Sequence, residues 1–297
     1  MQLRDALVLG RVSNLPTVWT NMLAGIALVA IAGADSQVLS QIPTTVLFCL
    51  FIALTLFYVG GMYLNDAFDA EIDAKERSER PIPAGRVSRQ LVFVLGFFML
   101  AAGLVLLGLA ASITGTGWQA LAAGIALSGA IVLYNAYHKA NPLSPFIMGV
   151  CRMMVYVAAG GVVAAELTQS LWLGAAISLG YLIGLTYVAK QENLGHISNM
   201  WPLAFLGAPL VYGALLAKDM PMLWFFAALL FAWILVALFY VRRRGPGDIP
   251  RAVVSLIAGI SLLDAILIAS TGSLTLAGVA IVGFGLTLVL QRYVPGT

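Results

Sequence analysis

Ten stretches of this chain are each long enough to cross a bilayer and nearly free of charge, and together they leave little else. A span needs roughly 20 apolar residues, at 1.5 Å rise each, to traverse a hydrocarbon core of about 30 Å. The stretches cover residues 15–33, 43–64, 89–111, 118–137, 143–165, 170–189, 199–217, 221–241, 251–270 and 273–292. Only 10% of residues are charged and 61% are hydrophobic, against about 25% charged in an average soluble domain. No aqueous surface can be built from that composition. The expected fold is all-α, a polytopic bundle of nine or ten transmembrane helices, with the junctions among the last four least sharply marked. Residues 1–297 read as a single domain, because no linker or low-complexity tract interrupts the spans.

The basic residues assign an orientation. Arg4 and Arg11 precede the first stretch, Lys75, Arg77, Arg80, Arg86 and Arg89 follow the second, and Lys139, Lys190, Arg242, Arg243, Arg244, Arg251 and Arg292 lie after later even stretches. Lys218 alone falls in a loop on the opposite side. By the positive-inside rule both termini are expected in the cytoplasm. The basic start and first apolar run also allow a cleaved signal, but that run is long and carries Asn14, Pro16, Thr17 and Asn21, which a signal core would not. Cys49 and Cys151 sit inside apolar stretches without ligand-like spacing, and read as packing residues.

Acidic residues are scarce, so their clustering is informative. Six of the thirteen lie between Asp66 and Glu79. If the second helix continues past the membrane edge, Asp66, Asp69 and Asp73 share one face at i, i+3 and i+7, and Asn65 joins Asp69 and Asp73 at i+4 and i+8. Lining up like charges costs a few tenths of a kcal/mol per pair. A hard divalent cation compensates naturally, since magnesium takes oxygen ligands and is commonly held by one or two carboxylates plus substrate phosphates. The loop that follows carries Arg77, Arg80 and Arg86, whose paired donors suit a diphosphate, although the same cations also satisfy the positive-inside rule. Arg152, some ten residues into the fifth stretch, costs roughly 2.5–3.5 kcal/mol to insert and must face the bundle or a wet cavity. Either it contacts substrate oxygen or it pairs with Asp264, also deep in its stretch. Tyr58, Tyr63, Tyr134, Tyr137 and Tyr156 could line the path of a cation or anchor span ends at the interface.

Asn65-Asp66-x-x-Asp69-x-x-x-Asp73 resembles the first aspartate-rich motif of the UbiA superfamily of intramembrane prenyltransferases, and Arg80-Pro-Ile-Pro-Ala-Gly-Arg86 is similar to the sequence that follows it. Arg11 and Asn14 resemble the family's N-terminal pattern. Tyr134-Asn-Ala-Tyr-His-Lys139 is close to its Tyr-x-x-x-Lys-Arg, with His138 in place of the usual Lys. The resemblance implies a helical bundle around a central cavity and magnesium as cofactor, held by Asn65, Asp66, Asp69 and Asp73. Its partners would be an isoprenyl diphosphate donor, a small acceptor and membrane lipids, with no nucleic acid. It further implies an enzyme of the bacterial inner (cytoplasmic) membrane with its active site facing the cytoplasm.

One departure stands out. Where the family carries a second aspartate-rich motif, this chain reads Tyr187-Val-Ala-Lys190-Gln191-Glu192-Asn193. Lys190 stands opposite Asp66 in an internal alignment, and Glu192 is the sole carboxylate there. This variant resembles the EboC-like branch of the superfamily. It makes Lys190 a candidate catalytic cation beside Asp66, Asp69 and Asp73, with Tyr187, Gln191, Glu192 and Asn193 as candidate substrate contacts. It also leaves open a scaffold that has lost catalysis and binds or transports a lipid or metabolite. The Asp-Gly-x-x-Ala-Arg signature of the CDP-alcohol phosphotransferases, which also use membrane-edge aspartates, is absent.

Overall fold

The computed structural model describes residues 1–30, 38–139, 141–190 and 201–296, and these are helical with short connections. In chain order the elements are α1 (Leu3–Leu9), α2 (Leu15–Val29), α3 (Val38–Gln41), α4 (Thr44–Phe68), α5 (Ala70–Glu76), α6 (Arg89–Thr114), α7 (Gln119–Tyr137), α8 (Ser144–Val163), α9 (Gln169–Lys190), α10 (Ala208–Leu216), α11 (Leu223–Arg243), α12 (Asp248–Ala269) and α13 (Leu274–Leu290). Helices α2 with its preceding 3-10 turn, α4, α6, α7, α8, α9, α11 and α12 are long and apolar enough to cross a membrane.

The remaining two stretches are shorter. α13 has 17 residues, about 25 Å at 1.5 Å rise. Stretch 199–217 does not form one continuous α-helix: Trp201–Gly207 is 3-10 and α10 starts only at Ala208. Pro209 in the first turn of α10 fits a helix start there, because it lacks the N–H that a continuous α-helix would need at that position. The expected end of the first stretch at residue 33 lies outside the described residues; α2 itself stops at Val29, where Ala30 turns extended.

Helices α2 and α12 are buried almost all round, while α6 and α7 leave most of their surface outward, where Val94, Phe98, Val105 and Ile125 are exposed for lipid. With lipid outside, no hydrophobic gradient drives helices together, so small residues that allow close approach carry the packing. A Cβ on Gly25 of α2 would stand 2.6 Å from the Tyr156 carbonyl of α8, and one on Gly60 of α4 would stand 2.9 Å from the Gly96 carbonyl of α6. Those contacts pair α2 with α8 and α4 with α6.

The ends of the chain meet at one end of the bundle. The Asn14 amide donates to the Gly296 carbonyl at 2.8 Å, and Gln291 donates to Asn14 Oδ1 at 3.0 Å. Arg11, Arg77, Arg80, Lys139 and Lys190 line one cavity with Gly296 at that same end.

Candidate active site

The acidic helix is interrupted where the sequence alone predicts continuation. α4 ends at Phe68, Asp69 serves as the junction with φ −81° and ψ −2°, and α5 resumes at Ala70. Asp is a weak helix former, and the break lets Glu71 and Asp73 occupy the first turn of a new helix, where acidic side chains are favoured. Backbone bonds from Asp69 N to Asn65 O (3.0 Å) and from Asp73 N to Asp69 O (2.9 Å) keep the turns in register.

A cavity of about 480 Å³ opens beside this junction. Tyr58, Met62 and Asn65 of α4 line it, followed by Asp69 and Asp73. Asp66 points elsewhere. It is buried between two guanidinium groups, with its Oδ1 accepting from Arg11 Nη2 at 3.0 Å and from Arg80 Nη1 at 3.3 Å. Of the two faces the sequence offers, the one through Asn65, Asp69 and Asp73 meets the cavity.

Chain cations balance the acids. Arg80 also donates to Asp73 Oδ2 at 2.8 Å, and Lys139 Nζ and His138 Nε2 lie 3.5 Å and 3.4 Å from Asp69 Oδ2. Burial pushes the Asp69 pKa up, but the hydrogen bond and charge of His138, together with Lys139, more than offset it and hold the group below the ordinary carboxylate value. Burial would lower the Arg80 pKa, yet Asp66 and Asp73 raise it. Arg11 reaches Asp66 and Asn65 from a left-handed backbone, φ +41°, rare for a non-glycine residue. Such strain costs on the order of 1–3 kcal/mol and gathers at functional sites.

The other expected residues divide by position. Arg77, Lys139 and Lys190 line the cavity. Lys190 Nζ also donates to Asn141 O and Ser144 Oγ, both at 2.8 Å. Tyr134 lines it with its ring stacked on His138, centroids 4.9 Å apart. Asn14 lines it too, with its amide held by Gly296 and Gln291. Arg86 lies off the cavity, its Nε donating to Asp5 Oδ1 at 2.8 Å and its Nη2 to Glu79 O. Tyr187 is half-buried on α9 and does not line the cavity. Gln191, Glu192 and Asn193 lie outside the described residues. Of the remaining tyrosines, Tyr58 lines the cavity, Tyr63 donates to Ala6 O, Tyr137 is exposed and Tyr156 is fully buried.

Below the polar mouth lies a second, apolar cavity of about 90 Å³, floored by Leu54, Phe57, Leu127 and Val155. Both cavities share Tyr58, Met62, Tyr134, Met148, Arg152 and Leu182. Arg152 makes no direct pair with Asp264 among the described residues. Its Nη1 donates to Asn21 Oδ1 at 2.6 Å, and Asn21 Nδ2 in turn donates to Asp264 at 2.7 and 2.9 Å.

Sequence reasoning missed several wall residues. Asn135 accepts from Asn65 Nδ2 at 3.1 Å and donates to Gly61 O at 3.0 Å, tying α7 to α4. Its position within the Tyr134–Lys139 motif was a usable signal. Pro250, Val253, Ile257 and Ile260 of α12 close the opposite wall, and a uniformly apolar helix gives no contrast by which to find them.

Fold and site together define a polytopic helical membrane protein whose charged, acid-lined cavity continues into an apolar arm. Residues 20–294 match the UbiA prenyltransferase family. The chain belongs to that family and is an integral membrane protein. Digeranylgeranylglyceryl phosphate synthase of Methanothrix thermoacetophila is 32% identical over 123 residues, 41% of this chain and 43% of that protein. The Methanopyrus kandleri protein of the same name is 30% identical over 164 residues, 52% and 53% of the two. The matched segments thus span about half the length of these relatives. Both relatives are archaeal and give no support to the expected bacterial membrane. A UbiA homologue from Archaeoglobus fulgidus, solved bound to GPP and Mg2+, superposes with a TM-score of 0.60 at 12% identity over 92% of this chain and 99% of that one. At that identity the likeness shows the fold.

The donor set bears on magnesium. Among the described residues no three His, Cys, Asp or Glu side chains converge to hold a metal ion. Magnesium asks for less, one or two carboxylates with phosphate oxygens and water completing the shell. Asp69 and Asp73, with the Asn65 amide, offer hard oxygens on the cavity wall and meet that requirement. Asp66, whose Oδ1 accepts from Arg11 and Arg80, is not on that wall.

Proposed function

We propose that this protein transfers a prenyl group from an isoprenyl diphosphate to a small acceptor within the membrane. The observation that carries this reading is the junction of the two cavities: a mouth with Asp69, Asp73, Arg77, Lys139 and Lys190 suits a metal-bound diphosphate, and the apolar arm below suits its hydrocarbon tail. Ionisation breaks the allylic C–O bond and its electron pair leaves with the diphosphate. The acceptor nucleophile then bonds to the allylic carbon and gives up a proton. In this reading Arg77, Lys139 and Lys190, which line the mouth, stabilise charge developing on the leaving group, which is where preorganised electrostatics lower a barrier. Bound magnesium would add Lewis-acid stabilisation of the same oxygens. Tyr58 and Tyr134 line the neck shared by the two cavities, where aromatic rings suit an allylic cation. The apolar arm excludes water that would quench it.

Release of inorganic diphosphate from geranylgeranyl diphosphate by purified protein, with EDTA as control, tests the reading. The second reading, a UbiA-type scaffold that binds or transports a lipid without catalysis, is favoured by Lys190 standing where an acid is usual. It predicts donor binding with no diphosphate release.

Lys190 itself is testable. A direct phosphate contact predicts roughly tenfold weaker donor binding in Lys190→Ala, the scale of one charge-assisted hydrogen bond, and partial recovery at high magnesium in Lys190→Asp. Unchanged donor affinity in Lys190→Ala would leave the side chain as a tie between α9 and the Asn141–Ser144 turn.

The basic end of the bundle, by the positive-inside rule, faces the cytoplasm, and the active site with it. Reporter fusions after Arg89 and after Arg244 are expected to read cytoplasmic, and a signal from the far side at either would reverse the orientation.

A further inference from the structure

The face of α4 that lines the site runs unbroken from the mouth to the end of the apolar arm. Asn65, Met62, Tyr58 and Leu54 repeat at intervals of three and four residues, with Gly61 and Phe57 beside them, so one helical stripe measures the depth of both cavities. Leu54 lies eleven residues below Asn65, about 16 Å at 1.5 Å per residue. Phe57 lies eight residues below it, about 12 Å down.

The arm ends blind. Leu54, Phe57, Leu127 and Val155, which floor it, are all buried, so lipid outside the bundle does not reach its end. What stands behind the Phe57 ring is small. A Cβ on Gly103 of α6 would lie 3.2 Å from both Cε1 and Cζ of Phe57, and one on Gly124 of α7 would lie 3.5 Å from Cζ. The ring therefore fills a notch left by glycines on two neighbouring helices. Neither glycine has a side chain to stop a hydrocarbon tail, and the ring supplies the stop instead.

The depth can be set against the length of a tail. An extended peptide gains roughly 3.3–3.6 Å per three-bond residue, so an isoprene unit of four such bonds gains ~4.5 Å. Two units then reach ~9 Å, three ~14 Å and four ~18 Å. With a diphosphate at the level of Asn65, the third unit arrives at the floor and a fourth has no extended path.

We infer that Phe57 is the chain-length stop of the donor site, and that the arm takes allylic diphosphates of up to three isoprene units in extended form. The inference rests on the prenyl-transfer reading in seating a diphosphate at the mouth. Its test is one of binding and needs no turnover.

Calorimetry in nanodiscs compares geranyl, farnesyl and geranylgeranyl S-thiolodiphosphates, in which sulfur replaces the bridging oxygen and slows ionisation. Protein-free nanodiscs correct for partition into lipid. Wild-type protein is expected to bind the farnesyl probe at least tenfold more tightly than the geranylgeranyl probe, since an apolar pocket discriminates even one methylene by roughly 10–200-fold. Phe57→Ala opens the notch, and the ratio of the two affinities is expected to move at least tenfold toward geranylgeranyl. Gly103→Ala presses the ring into the arm and is expected to move the preference the other way, from farnesyl toward geranyl. Should Phe57→Ala fail to fold, Phe57→Leu takes its place, with a smaller shift in the same direction. A ring that only packed α4 against α6 and α7 would leave these ratios unchanged when trimmed. Unchanged ratios in the folded variant, or a wild-type preference for the geranylgeranyl probe, would overturn the inference. If diphosphate is released from farnesyl diphosphate while the ratios stay fixed, prenyl transfer stands without the stop; if the ratios shift and no donor ever releases diphosphate, the stop stands and prenyl transfer falls.

Discussion

Asp69→Asn is expected to reduce diphosphate release at least 100-fold while the protein stays folded and inserted. The loss follows from position. Asp69 is on the cavity wall at the junction of α4 and α5, its charge is maintained by His138 and Lys139, and removing one preorganised electrostatic group from a reacting centre typically costs 10²–10³ in rate. The substitution preserves shape and barely alters helix propensity. Turnover and thermal unfolding of the same preparation check both halves. Wild-type turnover in this variant, or wild-type turnover insensitive to EDTA, would remove the acidic face from the mechanism.

Asp66→Ala is expected to lower stability by on the order of 3 kcal/mol, the scale for breaking a buried ion pair from one side. Its side chain is 7% exposed, and Arg11 and Arg80 beside it are 16% and 14% exposed, so water cannot readily replace what is lost. Arg11 would also lose one of the contacts that repay its left-handed backbone. The apparent Tm is the measurement, and neutralising Arg80 in the same chain should recover part of the loss by removing an uncompensated cation. A wild-type Tm combined with absent turnover would instead place Asp66 among the metal ligands.

These contrasting outcomes mark the limit of what sequence could say. Asp66 and Asp69 are the same residue type three positions apart, and helical periodicity groups them on one face. The separation arises from tertiary partners: Arg11 and Arg80 hold Asp66 in the wall, while Asp69, beside His138 and Lys139, lines the cavity. Arg86 looked like part of a phosphate-binding loop because its loop is basic, but Asp5, eighty-one residues away, claims it. The membrane spans were legible because their signal is cumulative hydropathy. The division of residues 199–217 at Gly207 was not, since hydropathy is blind to whether an apolar segment is α or 3-10. Arg152 was recognised as costly, and its relation to Asp264 through Asn21 required knowing that α2 lies between α8 and α12.

The clasp between Asn14 and Gly296 has a consequence for how the protein is made. The first helix inserts with a cavity wall that can be finished only by α12 and the residues after α13. While the ribosome is still synthesising those last segments, the emerging bundle holds Arg152, Asn21 and the acid-lined mouth without their closing neighbours, Asp264 of α12 among them. The chain is therefore expected to depend on insertion machinery or neighbouring lipid to shelter its polar interior until α12 and α13 are in place, and ligand binding should appear abruptly with those two helices rather than grow helix by helix.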